Sequence, residues 1–185
     1  MRHLGTKTLE TERLILRRFR PEDAGSMFNN WASDPEVTKY LKWPPHKDTE
    51  ETGGILSSWI PGYANDDHYI WAIVLKENGD FPIGCISVVG KNDKIGMLSI
   101  GYCIGRAWWN KGITSEALRR VVEYLITEVG AGRVEARHDP KNPNSGKVML
   151  KCGLKYEGTL RQADWNNQGI CDSAVYAVLA EDYEA

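Results

Sequence analysis

Leu118, Val121, Val122, Leu125 and Val129 recur at i, i+3, i+4, i+7 and i+11, one apolar stripe at the helical period. Ile95 to Ile104 runs just ahead of them as an apolar strand, and Gly105 to Gly112 forms the turn between the two. A helix with a single apolar stripe has to bury it, and the strand that feeds it supplies a sheet for that burial. Gly130 and Gly132 stop the helix, and Arg133 to His138 follows as a short strand.

The remaining elements are read outward from this unit. Arg13 to Arg17 reads as a first strand ending near Pro21. Pro21-Glu22-Asp23 and Asp34-Pro35-Glu36 each open a helix, with proline in the first turn and acids at the positive dipole end. Asp48-Thr49-Glu50-Glu51 opens a third, weakened by Gly53-Gly54. Tyr69 to Leu75 and Ile83 to Val89 are strands around the hairpin signal Asn78-Gly79. Pro143 to Cys152 is a short helix, and Leu154 to Asp164 and Cys171 to Leu179 are strands joined by the turn Asn166 to Gly169. The order is β-α-α-α-β-β-β-α-β-α-β-β, a mixed α/β (α+β) class with a mostly antiparallel sheet. Doubly wound architecture needs a more regular strand–helix alternation.

A length of 185 residues, with no repeat, low-complexity tract or Pro/Gly-rich linker, fits a single domain over 1–185. Net charge is −2, from 23 basic and 25 acidic residues mixed along the chain, which argues against a nucleic-acid binder. No apolar run approaches the ~18 residues of a membrane span, and Met1 to Lys7 lacks the apolar core of a signal peptide. The four cysteines contain no Cys-x-x-Cys pair, and the four histidines fall in no ligand spacing. A cytoplasmic protein with free thiols, no metal and no membrane partner is expected.

The chemistry concentrates in Ile100 to Glu116. The first amides of a helix lack internal partners and sit at the positive end of the dipole. Lys111 adds a point charge, Gly112 lets a ligand approach the backbone, and Thr114 and Ser115 are small. Together they suit a diphosphate, although the same residues also fit a plain helix start with Asn110 as its cap. The P-loop order Gly-Lys-Ser/Thr and the Gly-x-Gly-x-x-Gly fingerprint are both missing. Asn142-Pro143-Asn144-Ser145 also has two readings: a cap with proline at N1, or an amide and a hydroxyl facing a ligand.

Trp109-Asn110-Lys111-Gly112-Ile113-Thr114-Ser115-Glu116-Ala117-Leu118 resembles the acetyl-CoA loop of the GCN5-related N-acetyltransferases, closest to the branch of ribosomal-protein N-terminal acetyltransferases. Thr11 to Arg17, Asn142-x-x-Ser145, Lys151 to Gly158, Asp172 and Tyr176 are similar to the same branch. Thr114 departs from it, since Gly or Ala is usual there. The resemblance implies the acyl-CoA N-acyltransferase fold, a central splayed sheet flanked by helices. It also implies direct acetyl transfer from acetyl-CoA to a primary amine, a protein N-terminal α-amine or a small amine. A non-catalytic acyl-CoA-binding module stays open beside it.

By that resemblance, Cys103 and Ile104 lie along the pantetheine arm, and the Ile104 amide donates to the acetyl carbonyl. Asn110, Lys111, Gly112, Ile113, Thr114 and Ser115 hold the diphosphate. Asn142 binds pantetheine, Ser145 meets the departing thiolate, and Asp164 is the candidate general base. Read from the residues alone, Cys103 fits a small buried hydrophobe, Asp164 a strand-end carboxylate, and Tyr102, Trp108 and Trp109 packing groups. The acceptor groove is expected between Asp34 to Tyr63 and Asp164 to Gly169, with Trp43 to His46 as one wall. A homodimer is left open.

Overall fold

The computed structural model describes residues 1–183. Eight strands form one sheet: β1 (Leu9–Glu10), β2 (Leu14–Arg17), β3 (Ile70–Leu75), β4 (Pro82–Asn92), β5 (Met97–Ile104), β6 (Arg133–His138), β7 (Lys155–Asn166) and β8 (Gly169–Leu179). Their order is β1-β2-β3-β4-β5-β6-β8-β7. Every pairing is antiparallel except β5 with β6. The expected mixed class and mostly antiparallel sheet are both found.

Among the described residues five α-helices flank the sheet: α1 (Ala24–Met27), α2 (Pro35–Thr38), α3 (Thr49–Trp59), α4 (Ile113–Thr127) and α5 (Pro143–Lys151). The stripe of α4 is fully buried, with Leu118, Val121, Val122 and Leu125 packed against Leu14, Leu16, Ile73, Leu98 and Ile100 of the sheet. Met149 at the end of α5 joins this core. A second core on the other face gathers Phe19, Met27, Trp31, Val37 and Leu56 against Ala72 and Cys85. Alternation along β5 serves both: Leu98, Ile100, Tyr102 and Ile104 face α4, and Cys103 faces the second core.

Several expectations need correction. Leu9–Glu10 is a strand too short to leave a pattern. The first expected helix is a mixed segment: a tight turn at Pro21–Asp23, then α1, then a wide π-type turn at Phe28–Ala32. The second, expected to reach about Leu41, stops at Thr38. The third runs through Gly53-Gly54, carried by Asp48, whose carboxylate accepts from the Glu51 amide at 2.8 Å, and by the burial of Thr52 and Leu56.

One local feature of the topology creates the site. β5 and β6 pair only from Met97↔Arg133 to Ile100↔Ala136. Beyond that, β5 stays with β4 as far as Gly84↔Ile104, and β6 stays with β8 as far as His138↔Ala174. The two strands therefore part, and the sheet opens at their C-terminal ends.

Candidate active site

Backbone alternation decides what the opening presents. Gly105 donates to the Ile83 carbonyl at 2.9 Å, in register with Gly84↔Ile104 and Cys85↔Cys103. In an antiparallel pair the bonded residues alternate, so Cys103 turns its amide and carbonyl toward β4. Tyr102 and Ile104 turn theirs toward the opening. The Ile104 carbonyl is taken by the Trp109 indole, Nε1 donating at 2.9 Å, which leaves the Ile104 amide as the donor directed into the gap. Trp109 is thus more than a packing group. The Cys103 side chain lies on the far face, and burial pushes its thiol up to about 12. It is a packed thiol rather than a nucleophile.

The turn after β5 is closely packed. Gly105 has no room for a side chain, because a Cβ there would fall 2.3 Å from the Asn30 carbonyl. Asn110 adopts φ 60° and Gly112 φ 75°, both left-handed. The helix cap is Gly112 and not Asn110, and no side chain caps it. The first intrahelical bond is Glu116 N–H to the Gly112 carbonyl at 3.1 Å, so the amides of Ile113, Thr114 and Ser115 have no intrahelical acceptor. A Cβ built on Gly112 meets only Arg13 Nη2, at 3.6 Å, so the space before the helix is open. Asn110, Lys111 and Gly112 are exposed and Thr114 half-buried, while Ile113 and the Ser115 side chain are buried. The Ser115 hydroxyl is therefore withdrawn even though its amide belongs to the helix start.

A carboxylate in the first turn of α4 would repel a bound anion, but this one is neutralised. Glu116 accepts from Thr11 Oγ1 at 2.5 Å, the Arg13 amide at 3.0 Å and Arg13 Nε at 2.7 Å. Burial alone would raise the Glu116 carboxyl; the hydrogen bonds from Thr11 and Arg13 outweigh it and hold the group below its usual range. Arg13 also donates from Nη1 to the Lys111 carbonyl at 3.1 Å, clipping the turn to β2.

Across the gap, Asn142 and Pro143 take the N-cap and N1 positions of α5, but the Asn142 side chain makes no capping bond. The capping explanation therefore does not account for that side chain. Ser145, on the same turn, meets Tyr102: the phenol oxygen lies 2.9 Å from the Ser145 carbonyl and 3.0 Å from its Oγ. Asp164 lies near the tip of the β7–β8 hairpin. Its Oδ1 pairs with Lys42 Nζ at 2.5 Å and accepts from the Trp165 amide at 2.9 Å, and Lys42 lies 6.0 Å from the centroid of the Trp165 ring. Asn167 stitches this hairpin to the loop after α2, donating from Nδ2 to the Thr38 and Trp43 carbonyls and from its amide to the Leu41 carbonyl. The two segments expected to wall the acceptor groove are thus in contact. Beside the Gly105 turn a cleft of about 420 Å3 is lined by Asn29, Asn30, Asp34, Arg106, Ala107 and Trp108.

The fold brings Ile104, the Asn110–Ser115 turn, Asn142 and Ser145 around one opening. Sequence reading missed Tyr102, Trp109, Lys42 and the Arg13–Glu116 clip. Tyr102 and Trp109 carried only the general signal that a buried Tyr or Trp needs a polar partner. Arg13 and Glu116 lie in two of the resembling motifs, but nothing local pairs them across 103 residues. Among the described residues no cluster of His, Cys, Asp or Glu is placed to hold a metal ion, and no helix is long and apolar enough to cross a membrane.

Known proteins resemble this chain over most of its length. The acetyltransferase (GNAT) domain family matches residues 13–155. An uncharacterized N-acetyltransferase of Bacillus licheniformis, p20, is 33% identical over 181 residues, covering 96% of this chain and 98% of that protein. The ribosomal protein uS5-alanine N-acetyltransferase of Escherichia coli K12 is 27% identical, covering 81% of this chain and 79% of that protein. RimL, a ribosomal alpha-N-protein acetyltransferase solved with coenzyme A, superposes with a TM-score of 0.84 at 18% identity, over 96% of this chain and all of that one; this is a likeness of fold.

Proposed function

The chain belongs to the GNAT family of acetyl-CoA-dependent N-acetyltransferases, and on that premise we propose that it acetylates the α-amine of a protein N-terminus. The observation that supports an amine acceptor at this hairpin is the Lys42 ammonium seated on Asp164 beside the Trp165 indole. A carboxylate next to an aromatic face is a site for a primary ammonium, and here it already holds one. Leu160, Trp165 and Ile170 stand exposed on the same hairpin, as a surface for the residues that follow an acceptor's first one. The E. coli relative, whose name gives a ribosomal-protein alanine as its acceptor, supports the same reading.

In this reading the unpaired amides of Ile113 to Ser115, with Asn110, Lys111 and Gly112, hold the diphosphate of acetyl-CoA, and Asn142 binds the pantetheine amides. The thioester brings an acyl group that is already activated, so the chain has to position the amine and stabilise developing charge. The Ile104 amide donates to the acetyl carbonyl oxygen. Asp164 accepts a proton from the incoming ammonium once Lys42 has been displaced. Ser145 donates a hydrogen bond to the departing thiolate.

The test is to incubate the protein with acetyl-CoA and two panels, one of peptides differing in their first residues and one of small amines. Thiol release together with one added acetyl group on a peptide α-amine is expected. Turnover on small amines alone would overturn the choice of acceptor, and coenzyme A binding with no turnover on either panel would favour a non-catalytic binding module. Lys42→Ala frees Asp164 and is expected to lower the KM for the peptide. An unchanged KM would remove Lys42 from the acceptor site.

A further inference from the structure

We propose that Tyr102 is a positioning residue for acetyl transfer, its phenol fixing the Ser145 hydroxyl so that the Ser145 proton can be turned toward the departing sulfur. This rests on the reading of Ser145 given above.

Tyr102 lies two residues beyond Ile100, the last residue of β5 paired with β6. Its hydroxyl reaches the first turn of α5 and spans the opening between the two halves of the sheet. The geometry gives one phenol proton two acceptors, the Ser145 carbonyl at 2.9 Å and Ser145 Oγ at 3.0 Å. With the phenol proton on the carbonyl, the Ser145 hydroxyl can donate back to the phenol oxygen, and its own proton is then turned away from the opening. With the phenol proton on Oγ, the Ser145 proton is free to point at a negative sulfur. Charge growing on sulfur selects the second arrangement.

No proton need leave either residue. The thioester C–S bond breaks with both electrons going to sulfur, and Ser145 and Tyr102 each rotate one O–H bond. Burial keeps the phenol protonated by raising it well above its usual range, so it stays a donor. The titratable groups around it are Cys152 at the end of α5 and Tyr176 of β8. His138 of β6 lies against the Tyr176 ring at 5.5 Å, its Nδ1 turned to the Asp139 carbonyl. Burial raises Cys152 to about 11, so it carries no charge near neutral pH.

The experiment compares coenzyme A with desulfo-coenzyme A, by calorimetry across pH 6 to 9, on wild type, Tyr102→Phe, Ser145→Ala and the double variant. Desulfo-coenzyme A lacks the sulfur, so the ratio of the two affinities cancels titrating groups that act only on the rest of the ligand. One hydrogen bond to a charged group corresponds to about a tenfold effect. Wild type is expected to gain severalfold for coenzyme A over the desulfo form by pH 9, tending to about tenfold only where the free thiol itself ionises. Each single variant is expected to lose that gain, the double variant to lose no more, and desulfo-coenzyme A affinity to stay constant. Three results would overturn the proposal: a pH gain that persists in Tyr102→Phe, equal loss of both ligands, or no gain in wild type. If Tyr102→Phe fails to fold, a gain retained in Ser145→Ala overturns it alone. Wild type binding neither ligand would count against the coenzyme A site itself rather than only against Tyr102.

Discussion

Replacing Gly112 separates backbone strain from ligand approach. Gly112 holds φ 75° and ψ 1°, a conformation that costs a residue with a Cβ about 1–2 kcal/mol. Nothing is added by crowding, since the nearest atom to a new Cβ is Arg13 Nη2 at ordinary contact, 3.6 Å. For a chain of this length each kcal/mol moves Tm by about 2–4 °C, so Gly112→Ala is expected to melt roughly 2–8 °C lower. Asparagine tolerates the left-handed region, so Gly112→Asn should melt close to wild type. Both substitutions add side-chain atoms to the open space before the helix, where the diphosphate is proposed to lie. Loss of two charge-assisted hydrogen bonds to a diphosphate amounts to about 3 kcal/mol, roughly a hundredfold in Kd. Thermal melting measures the first effect and calorimetric titration with coenzyme A the second. A Gly112→Asn protein that melts normally and binds coenzyme A with unchanged Kd would refute the placement of the diphosphate.

Two further predictions follow from the same region. Asn142→Ala removes no cap bond, so stability should change by less than about 0.5 kcal/mol instead of the ~1 kcal/mol of a working cap, while coenzyme A affinity falls; melting and titration check both. Glu116→Gln should cost about 2 kcal/mol at pH 7, read from urea unfolding. The folded Glu116 carboxyl is held below its unfolded value, so its contribution is full above about pH 4.3 and fades as pH falls through the depressed value. The gap between wild type and variant should therefore close toward pH 3, and a constant gap would show that Glu116 acts through packing alone.

Where a pattern was local, the sequence displayed it. The stripe of α4 is visible because five residues at one period admit one burial geometry, and Asp34 and Asp48 act as the caps their positions suggest. What could not be read is non-local. The parting of β5 from β6 depends on where a ladder between residues 97–100 and 133–136 ends. The short strand Leu9–Glu10 exists only because Leu9 pairs with Leu16. At the turn, both Asn110 and Gly112 suit a helix start, and the left-handed backbone at both moves the cap to Gly112. The hairpin carrying Asp164 could be placed by its turn residues, but its ion pair with Lys42 arises from the docking of Asn167 on the loop after α2.

The two halves of this protein, β1–β5 and β6–β8, share only a four-rung ladder within the sheet, backed by α4. On the proposed placement the cosubstrate lies in the wedge beyond those rungs and acts as a keystone. Its binding free energy then bears on this short joint, because any ligand held by the folded state alone adds to stability. Protease resistance and slow amide exchange at Gly101 to Ile104 and at Arg137 and His138 should rise with acetyl-CoA concentration, linking the lifetime of the protein to the supply of the acetyl donor it consumes.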